Sequence, residues 1–558
     1  MKVTRRDLLV WSAGAAAGLM VTPVPWKLLD DTSIWSQNWP WIPQPARGPL
    51  EVKHTSCTLC PNGCGMRVTT AAGWPVGVAG VRNHPASRGA LCPLAFGAYQ
   101  LNWHPQRLKT VRHRGSGSSW LEAKTAFENA CGEGPVVVVD GYAGRAASAV
   151  LETFGRKRGG YRVVVGPEVQ ALTPCEKWSG VPVRALGYDL ENARTIVSFG
   201  APLLDGWGTP GRFAHLWAEG AAGSIDPQLR LIQVENSLSR TAARAWRWIP
   251  VRAGSEPALA AGLARVLIEE RLVAARGPVP SLSIDEAAAQ TELTPDAIRE
   301  IGRTIAARSP AVAIARDDNP AVAALNVVLG AVGKRGGIVR KAKEVRAQEE
   351  AHSLISDARA VLLDSSVPWD SAPQSDAEVF RFAAWDGSDP GSQRADWLLP
   401  APGFLEELTD VPTAPTFSTE TYAVAPSSIK PTVNAQSAAQ FLCSIDSSLS
   451  TAEKLIHERC EELFRSRSGT VIGRETTPLA DFGSVQKFEE QLWKGAVWVG
   501  EPLPPGRLQC KLTEWPAAGT YAHSDSWSSR WRQPVLPTLA TKLYRESALR
   551  ERPEARTA

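Results

Sequence analysis

The feature that most narrows what this 558-residue chain can be is the placement of four of its nine cysteines. Cys57, Cys60 and Cys64 form a C-x2-C-x3-C run, Cys57-Thr58-Leu59-Cys60-Pro61-Asn62-Gly63-Cys64, and Cys92 follows at a distance in Leu91-Cys92-Pro93. An iron–sulfur cluster needs several thiolates converging on one small inorganic core. Spacings this short let a single loop supply three of them, while the fourth returns from elsewhere in the fold. Gly63 and Gly65 are expected to supply the positive φ angles that so tight a wrap requires. Zinc is the rival metal, but its usual pattern is two separated C-x2-C pairs, and unliganded thiols are the remaining reading. The pattern favours a [4Fe–4S] cluster held by Cys57, Cys60, Cys64 and Cys92. The odd total and wide scatter argue against a disulfide framework, and Cys131, Cys175, Cys443, Cys460 and Cys510 read as small apolar residues in or near cores.

Charge excludes some functions. Lys plus Arg number 61 against 57 Asp plus Glu, a net charge of +4, which is too balanced for a generally basic nucleic-acid binder. The apolar and charged fractions, 44% and 21%, are those of an ordinary globular chain with large cores, and the length implies several domains. No run reaches the ~18 apolar residues of a membrane-spanning helix. At the N-terminus, Thr4-Arg5-Arg6-Asp7-Leu8-Leu9 precedes a short Ala- and Gly-rich apolar stretch ending near Val21. That is the arrangement of a twin-arginine export signal, so the expected location is the periplasmic face of the cytoplasmic membrane, peripheral or signal-anchored. Trp35, Trp39 and Trp41, interleaved with Pro40 and Pro43, suit a stiff extended segment laid on a partner or on the protein's own surface.

Beyond the cysteines, three apolar runs read as buried parallel strands: Val136–Gly141, Ala193–Gly200 and Leu231–Glu235. Two more elements follow, the helical Leu325–Gly337 with its glycine-rich exit and the strand Ala395–Ala401. From Cys57 to Arg107 the chain resembles the N-terminal cluster domain of the molybdopterin oxidoreductase family, which includes formate dehydrogenases, periplasmic nitrate reductases and polysulfide reductases. The resemblance rests on the cysteine spacing, on His84-Pro85-Ala86-Ser87-Arg88-Gly89-Ala90-Leu91-Cys92-Pro93 and on His104-Pro105-Gln106-Arg107-Leu108. It continues through the strands to about residue 445. It implies an α/β fold: a small N-terminal iron–sulfur domain, then Rossmann-like parallel-sheet domains, with the family's C-terminal β-barrel domain missing. It also implies molybdopterin guanine dinucleotide as a second cofactor, with Gly200 at the phosphate-side turn, Glu235 at a strand end and Glu256 where an acid meets guanine. Ligands of such domains sit beyond the carboxyl ends of parallel strands, with anions at helix N-termini.

Three departures argue against molybdenum chemistry. Leu94 stands where active members of the family carry a lysine between the two centres. The stretch from Asp140 to Asp189 is short, with Cys175 its nearest candidate metal ligand. Residues 451–558 show no run of alternating strands. These departures, with Ile34–Pro43 and Phe199–Trp207, are similar to the molybdopterin-like subunits of menaquinone reductase and alternative complex III. That similarity implies an electron-transfer subunit partnered by an iron–sulfur subunit and an integral-membrane quinone-interacting subunit, with a multihaem cytochrome c as a further candidate, and without nucleic acid. An active molybdopterin enzyme with a shortened C-terminus is the alternative, and a structural assembly protein with zinc or free thiols is the third reading. The expected divisions are 1–30, signal or anchor; 31–50, Trp/Pro segment; 51–110, cluster domain; 111–330 and 331–450, two α/β domains; and 451–558, an irregular arm. Arg240, Arg244, Arg247 and Arg252 read as exposed helix and turn residues before phosphate ligands, and His84 and His104 as hydrogen-bonded structural residues. No general acid, base or nucleophile is identifiable.

Overall fold

The computed structural model describes residues 3–21, 27, 48–164, 166–204, 207–220, 227–274, 277–341, 358–367, 377–385, 392, 394–501 and 508–516. The tryptophan segment Trp35–Trp41 lies outside them. Residues Arg5–Val21 form a helix exposed along its length, started by the Thr4 backbone and hydroxyl donating to Asp7 Oδ2. Among the described residues no helix is long and apolar enough to cross a membrane.

The cysteine motif sits on a three-stranded antiparallel sheet, β1 (Leu50–Ser56), β2 (Gly65–Ala71) and β3 (Trp74–Gly80), with the C-x2-C-x3-C run forming the β1–β2 connection. The chain then builds β4 (Arg112–His113), β5 (Ser116–Gly117), β6 (Val136–Asp140) and β7 (Gly159–Val163), followed by β8 (Leu186–Tyr188), β9 (Thr195–Phe199), β10 (Arg230–Glu235), β11 (Arg247–Pro250), β12 (Ala311–Ala315) and β13 (Ile338–Arg340). Strands β14 (Ala360–Leu363), β15 (Glu378–Ala383) and β16 (Trp397–Pro400) come next. The last are β17 (Thr409–Pro412), β18 (Thr421–Ala425), β19 (Thr470–Ile472), β20 (Thr476–Pro478) and β21 (Val497–Val499).

Two sheets carry the α/β architecture. One has seven strands in the order β5-β4-β16-β15-β14-β6-β7, parallel from β16 to β7; the other has four parallel strands in the order β11-β10-β9-β12. Strands β6, β9, β12 and β14 are buried at every residue, as parallel strands covered on both faces must be. The seven-stranded sheet takes strands from both sides of an insertion that holds β8 to β13, so the expected division into 111–330 and 331–450 does not follow the sheets. A parallel sheet accepts its next strand from any later point in the chain, provided a crossover returns to the same edge, and local periodicity carries no record of which sheet a strand joins.

The expected irregular arm also needs correction. Residues 452–499 form the helices Ala452–Ser466 and Val485–Trp493 and strands β19 to β21, which complete an antiparallel five-stranded sheet, β17-β18-β21-β19-β20. Each of these last three strands has three residues, too few to show alternation in the sequence. The remainder of the expected arm is described only at 508–516.

The cluster domain is fastened to the seven-stranded sheet by Arg107. Its guanidinium donates to the Ala401 carbonyl at 3.0 Å and pairs with Glu406 at 2.9 Å, both side chains being essentially inaccessible. Glu406 in turn accepts from the Gly403 and Thr432 amides at 2.6 and 2.9 Å. Removing one member of such a pair leaves a buried charge without its counterpart. Arg107→Ala is therefore expected to lower the unfolding free energy by about 3–5 kcal/mol, read from the shift of the denaturant midpoint against wild type.

Candidate metal centre

The β1–β2 loop is held closed by the Cys57 amide donating to the Cys64 carbonyl at 2.8 Å. Gly63 adopts φ 61°, as its position in the wrap requires. Gly65 does not have a positive φ; it is small because a Cβ there would lie 2.6 Å from the His84 ring. The expectation for Gly65 is corrected accordingly: the constraint is close packing, not left-handed backbone. His84 is buried, with Nδ1 accepting from the Ser87 amide at 3.3 Å, and burial lowers its pKa to about 4. His104 Nδ1 accepts from the Gln106 amide at 3.1 Å. Both histidines are thus bonded within the fold.

Cys57 and Cys64 are buried, Cys60 and Cys92 partly so. Burial, and then the neighbouring Cys64, Cys60 and Cys92, push the Cys57 thiol far up; Cys64 is raised by burial and by Cys60 and Cys92. The structure therefore brings the four predicted sulfur residues into one electrostatic neighbourhood. Four neighbouring thiolates, two of them buried, repel one another, so they can coexist only around a positively charged core. Among the described residues no group of three or more His, Cys, Asp or Glu gathers as a single metal ion requires. An all-sulfur set of four cysteines is the donor chemistry of an iron–sulfur cluster.

Two residues that the sequence did not single out complete this cradle. Asn62 Nδ2 donates to Cys64 Sγ at 3.0 Å. Gly211, second residue of the helix Pro210–Gly220, approaches so closely that a Cβ would lie 2.7 Å from Cys64 Sγ and 3.2 Å from Asn62 Nδ2. The positive end of that helix thereby faces a sulfur, which favours the thiolate. Asn62 was visible within the cysteine loop; Gly211 comes from the insertion and left no local signal.

The predicted nucleotide residues are placed differently. Gly200 (φ 70°) and Glu235 lie at the carboxyl ends of the adjacent strands β9 and β10, where the Gly200 amide donates to the Val234 carbonyl at 2.8 Å. The Glu235 carboxylate accepts from Gln233 Nε2 at 3.0 Å and from the Ser239 amide at 3.2 Å. Glu256 is buried at the start of the helix Glu256–Glu269. None of the three lines either of the two best-formed cavities.

Of the two switch points, where strand order reverses and α/β sheets bind ligands, the one between β9 and β12 holds a buried side chain and the one between β6 and β14 opens onto cavities. Between β9 and β12 the fully buried Trp207 donates to the Arg316 carbonyl at 2.7 Å. Between β6 and β14 the Gly141 amide donates to Ser366 Oγ at 3.0 Å, and Arg145 bridges Asp140 at 3.0 Å and Asp364 at 2.9 Å. Against the cost of burial, this pairing and its hydrogen bonds hold Asp140 below the usual carboxylate range, and Asp364 and Asp140 hold Arg145 charged. Asp140 and Asp364 are thus both engaged by Arg145. Cys175 lies in the apolar core of the insertion and lines neither cavity. Arg247 and Arg252 pair with Glu300 and Glu292 at the surface, and Arg244 lies 5.0 Å from the Trp217 ring centre, as expected of surface arginines.

Both cavities open at the β6–β14 switch point, with Gly141 and Arg145 in their linings. The smaller, about 120 Å³, is lined by Cys60, Pro61, Tyr142, Arg145 and Glu407 among others; the larger, about 520 Å³, shares Pro61, Tyr142 and Arg145 and reaches Lys341, Arg459 and Trp498. Tyr142, buried, donates to the Pro61 carbonyl at 3.4 Å, and the cluster loop itself lines the smaller cavity through Cys60 and Pro61. Burial moves Lys341 down to about 8 and Glu407 up to about 7.

Residues 50–101 match the molybdopterin oxidoreductase Fe4S4 domain. The chain is 31% identical over 401 residues to the menaquinone reductase molybdopterin-binding-like subunit of Nitratidesulfovibrio vulgaris, covering 67% of this chain and 57% of that one. This chain belongs to the molybdopterin oxidoreductase family. The nitrate-inducible formate dehydrogenase major subunit of Escherichia coli, a further relative, is 25% identical over 262 residues, covering 40% of this chain and 25% of its own. The chain therefore spans little more than half the length of the first relative and a quarter of the second. Acetylene hydratase from Pelobacter acetylenicus shares the fold of this oxidoreductase family member, with a TM-score of 0.58 at 13% identity, over 81% of this chain and 74% of that one. The expected α/β fold, with an N-terminal Fe4S4 domain followed by parallel-sheet domains, is thereby established.

Two outcomes follow from this geometry. Gly211→Ala places a carbon against Cys64 Sγ and is expected to cut iron retained per chain roughly in half or further, because packed interiors give little; iron analysis checks this while far-ultraviolet circular dichroism stays as in wild type. Glu407 is protonated more readily in the folded chain than its ordinary value of 4.5 allows. Its effect favours folding below that value and turns into a cost as pH rises through about 7. Urea unfolding of wild type should lose about 1–3 kcal/mol more than Glu407→Gln between pH 5 and 8.

Proposed function

We propose that this protein is the electron-transfer subunit of a membrane-associated, quinone-linked respiratory oxidoreductase complex, carrying one [4Fe–4S] cluster and no molybdenum site of its own. The observation that carries the reading is the gathering of Cys57, Cys60, Cys64 and Cys92 in one buried neighbourhood with an amide donor on a sulfur. When bound, the cluster supplies one-electron redox chemistry. The four cysteines would hold it. Asn62 donates to a ligand sulfur, which together with burial sets the potential. Gly211 brings a helix N-terminus to the same sulfur, and His84 and Tyr142 exclude water around the loop. An electron carrier requires nothing else of the chain; no proton is moved and no substrate is oriented.

Trp207, buried at the β9–β12 switch point, supports the absence of a pterin, as does Leu94, half-buried on the helix Pro93–Gly97 beside Cys92. The quinone link and the partner subunits are supported by the relative's name, a menaquinone reductase subunit. An iron–sulfur subunit and an integral-membrane quinone-interacting subunit are the proposed neighbours, with a multihaem cytochrome c as a further one. Export by the twin-arginine route is supported by Arg5-Arg6 at the start of an exposed helix bearing Leu8, Leu9 and Val10.

Metal analysis of full-length protein purified without oxygen tests the reading. About four irons with matching sulfide per chain, and no molybdenum, are expected; molybdenum with pterin would establish the active molybdoenzyme instead, and zinc would overturn the cluster. A low-temperature paramagnetic resonance signal from the reduced protein should vanish in Cys64→Ala.

A further inference from the structure

Cys175 and Cys510 were expected to be unrelated core cysteines. They are 335 positions apart, yet Cys510 Sγ lies 3.7 Å from the Cys175 carbonyl oxygen, and the two residues meet there across the fold. Cys175 is fully buried on the helix Thr173–Ser179 in the core of the insertion. Cys510 is partly exposed on the segment 508–516, which lies along that helix through the Lys511 amide donating to the Trp178 carbonyl at 3.0 Å. Leu508 is buried in the same core, and Trp515 packs on its edge. Gly333 admits the segment's backbone, since a Cβ there would lie 2.2 Å from the Leu508 carbonyl oxygen.

We infer that Cys175 and Cys510 form a disulfide that fastens residues 508–516 to the insertion. Two cysteines whose sulfur and backbone already meet, on segments held together by a hydrogen bond and a shared core, need little movement to join. Their unlike environments set the order of events. Cys510 is partly exposed and Cys175 fully buried, so an external disulfide reaches Cys510 first, as its thiolate. Its sulfur attacks an external protein or small-molecule disulfide, forming a mixed disulfide and releasing one thiolate, which takes up a proton. Cys175 then loses its proton to solvent and attacks the Cys510 sulfur, expelling the second external thiolate. Two thiols are oxidised and one external disulfide is reduced to two thiols. Closing so long a loop restricts the unfolded chain more than a short one does. The inference goes beyond the electron-carrier reading and requires neither the cluster nor export, although an exported chain meets suitable oxidants.

Full-length protein is equilibrated without oxygen in oxidised glutathione, denatured, alkylated without reductant and mapped by peptide mass spectrometry. The Cys175 and Cys510 peptides should be recovered joined, with neither cysteine alkylated; adding reductant should lower the thermal midpoint of wild type and leave that of Cys510→Ser unmoved. Full alkylation of both cysteines, or either one joined to a different cysteine, would overturn the inference. Iron analysis of the same sample reads the cluster separately, so loss of one result does not mask the other.

Discussion

Four sulfurs buried in one place repel one another as thiolates and are poorly solvated, and the rest of this structure can be followed outward from that constraint. Such a group is stable only around a cationic core, and only if the surrounding backbone is held tightly enough that the sulfurs cannot separate. Three come from a loop closed by a backbone hydrogen bond between its own ends, Cys57 and Cys64. The fourth returns just before the helix Pro93–Gly97. Around them, glycines at 65 and 211 let a histidine ring and a helix terminus approach within distances that no larger residue permits. The cradle is therefore a composite of the small N-terminal sheet and the insertion, although the sulfurs belong to the former alone.

The same chain shows a ligand-binding architecture one of whose crevices is filled from within. Parallel sheets leave a gap where strand order reverses, and that gap is where nucleotides sit. Here one gap holds the buried indole of Trp207, while at the other Arg145 bridges Asp140 and Asp364 in the lining of two cavities. An ion pair buried this deeply is held by its full set of partners, the Tyr142 carbonyl and Ser366 hydroxyl included. It stiffens the carboxyl edge of the seven-stranded sheet beside the cluster loop. A scaffold so locked is suited to holding a redox centre at fixed distance from partners.

Much of the chemistry was legible in the order of residues. Cys57, Cys60, Cys64 and Cys92 could be grouped because three lie within one loop and carry a recognisable spacing; the strands at 136–140, 195–199 and 230–235 could be read because unbroken apolar runs need cover on both faces. The failures have equally local causes. The five-stranded sheet was missed because its last strands are three residues long and join it only through β21, which pairs with β18 far earlier in the chain. Gly65 was assigned a backbone role when its neighbour is the His84 ring. Cys175 was weighed as a metal ligand, but its partner is Cys510, reached only through the fold.

By itself, the amino-acid sequence determined the donor chemistry, the α/β class and the family resemblance, because these depend on residue type and on spacings of a few positions. Only the tertiary structure decided which strands share a sheet, that Gly211 faces Cys64, that Trp207 fills one switch point, and that residues 508–516 lie against the helix carrying Cys175. Those contacts join residues tens to hundreds of positions apart, and short-range patterning encodes the tendency to be buried without encoding the partner that does the burying.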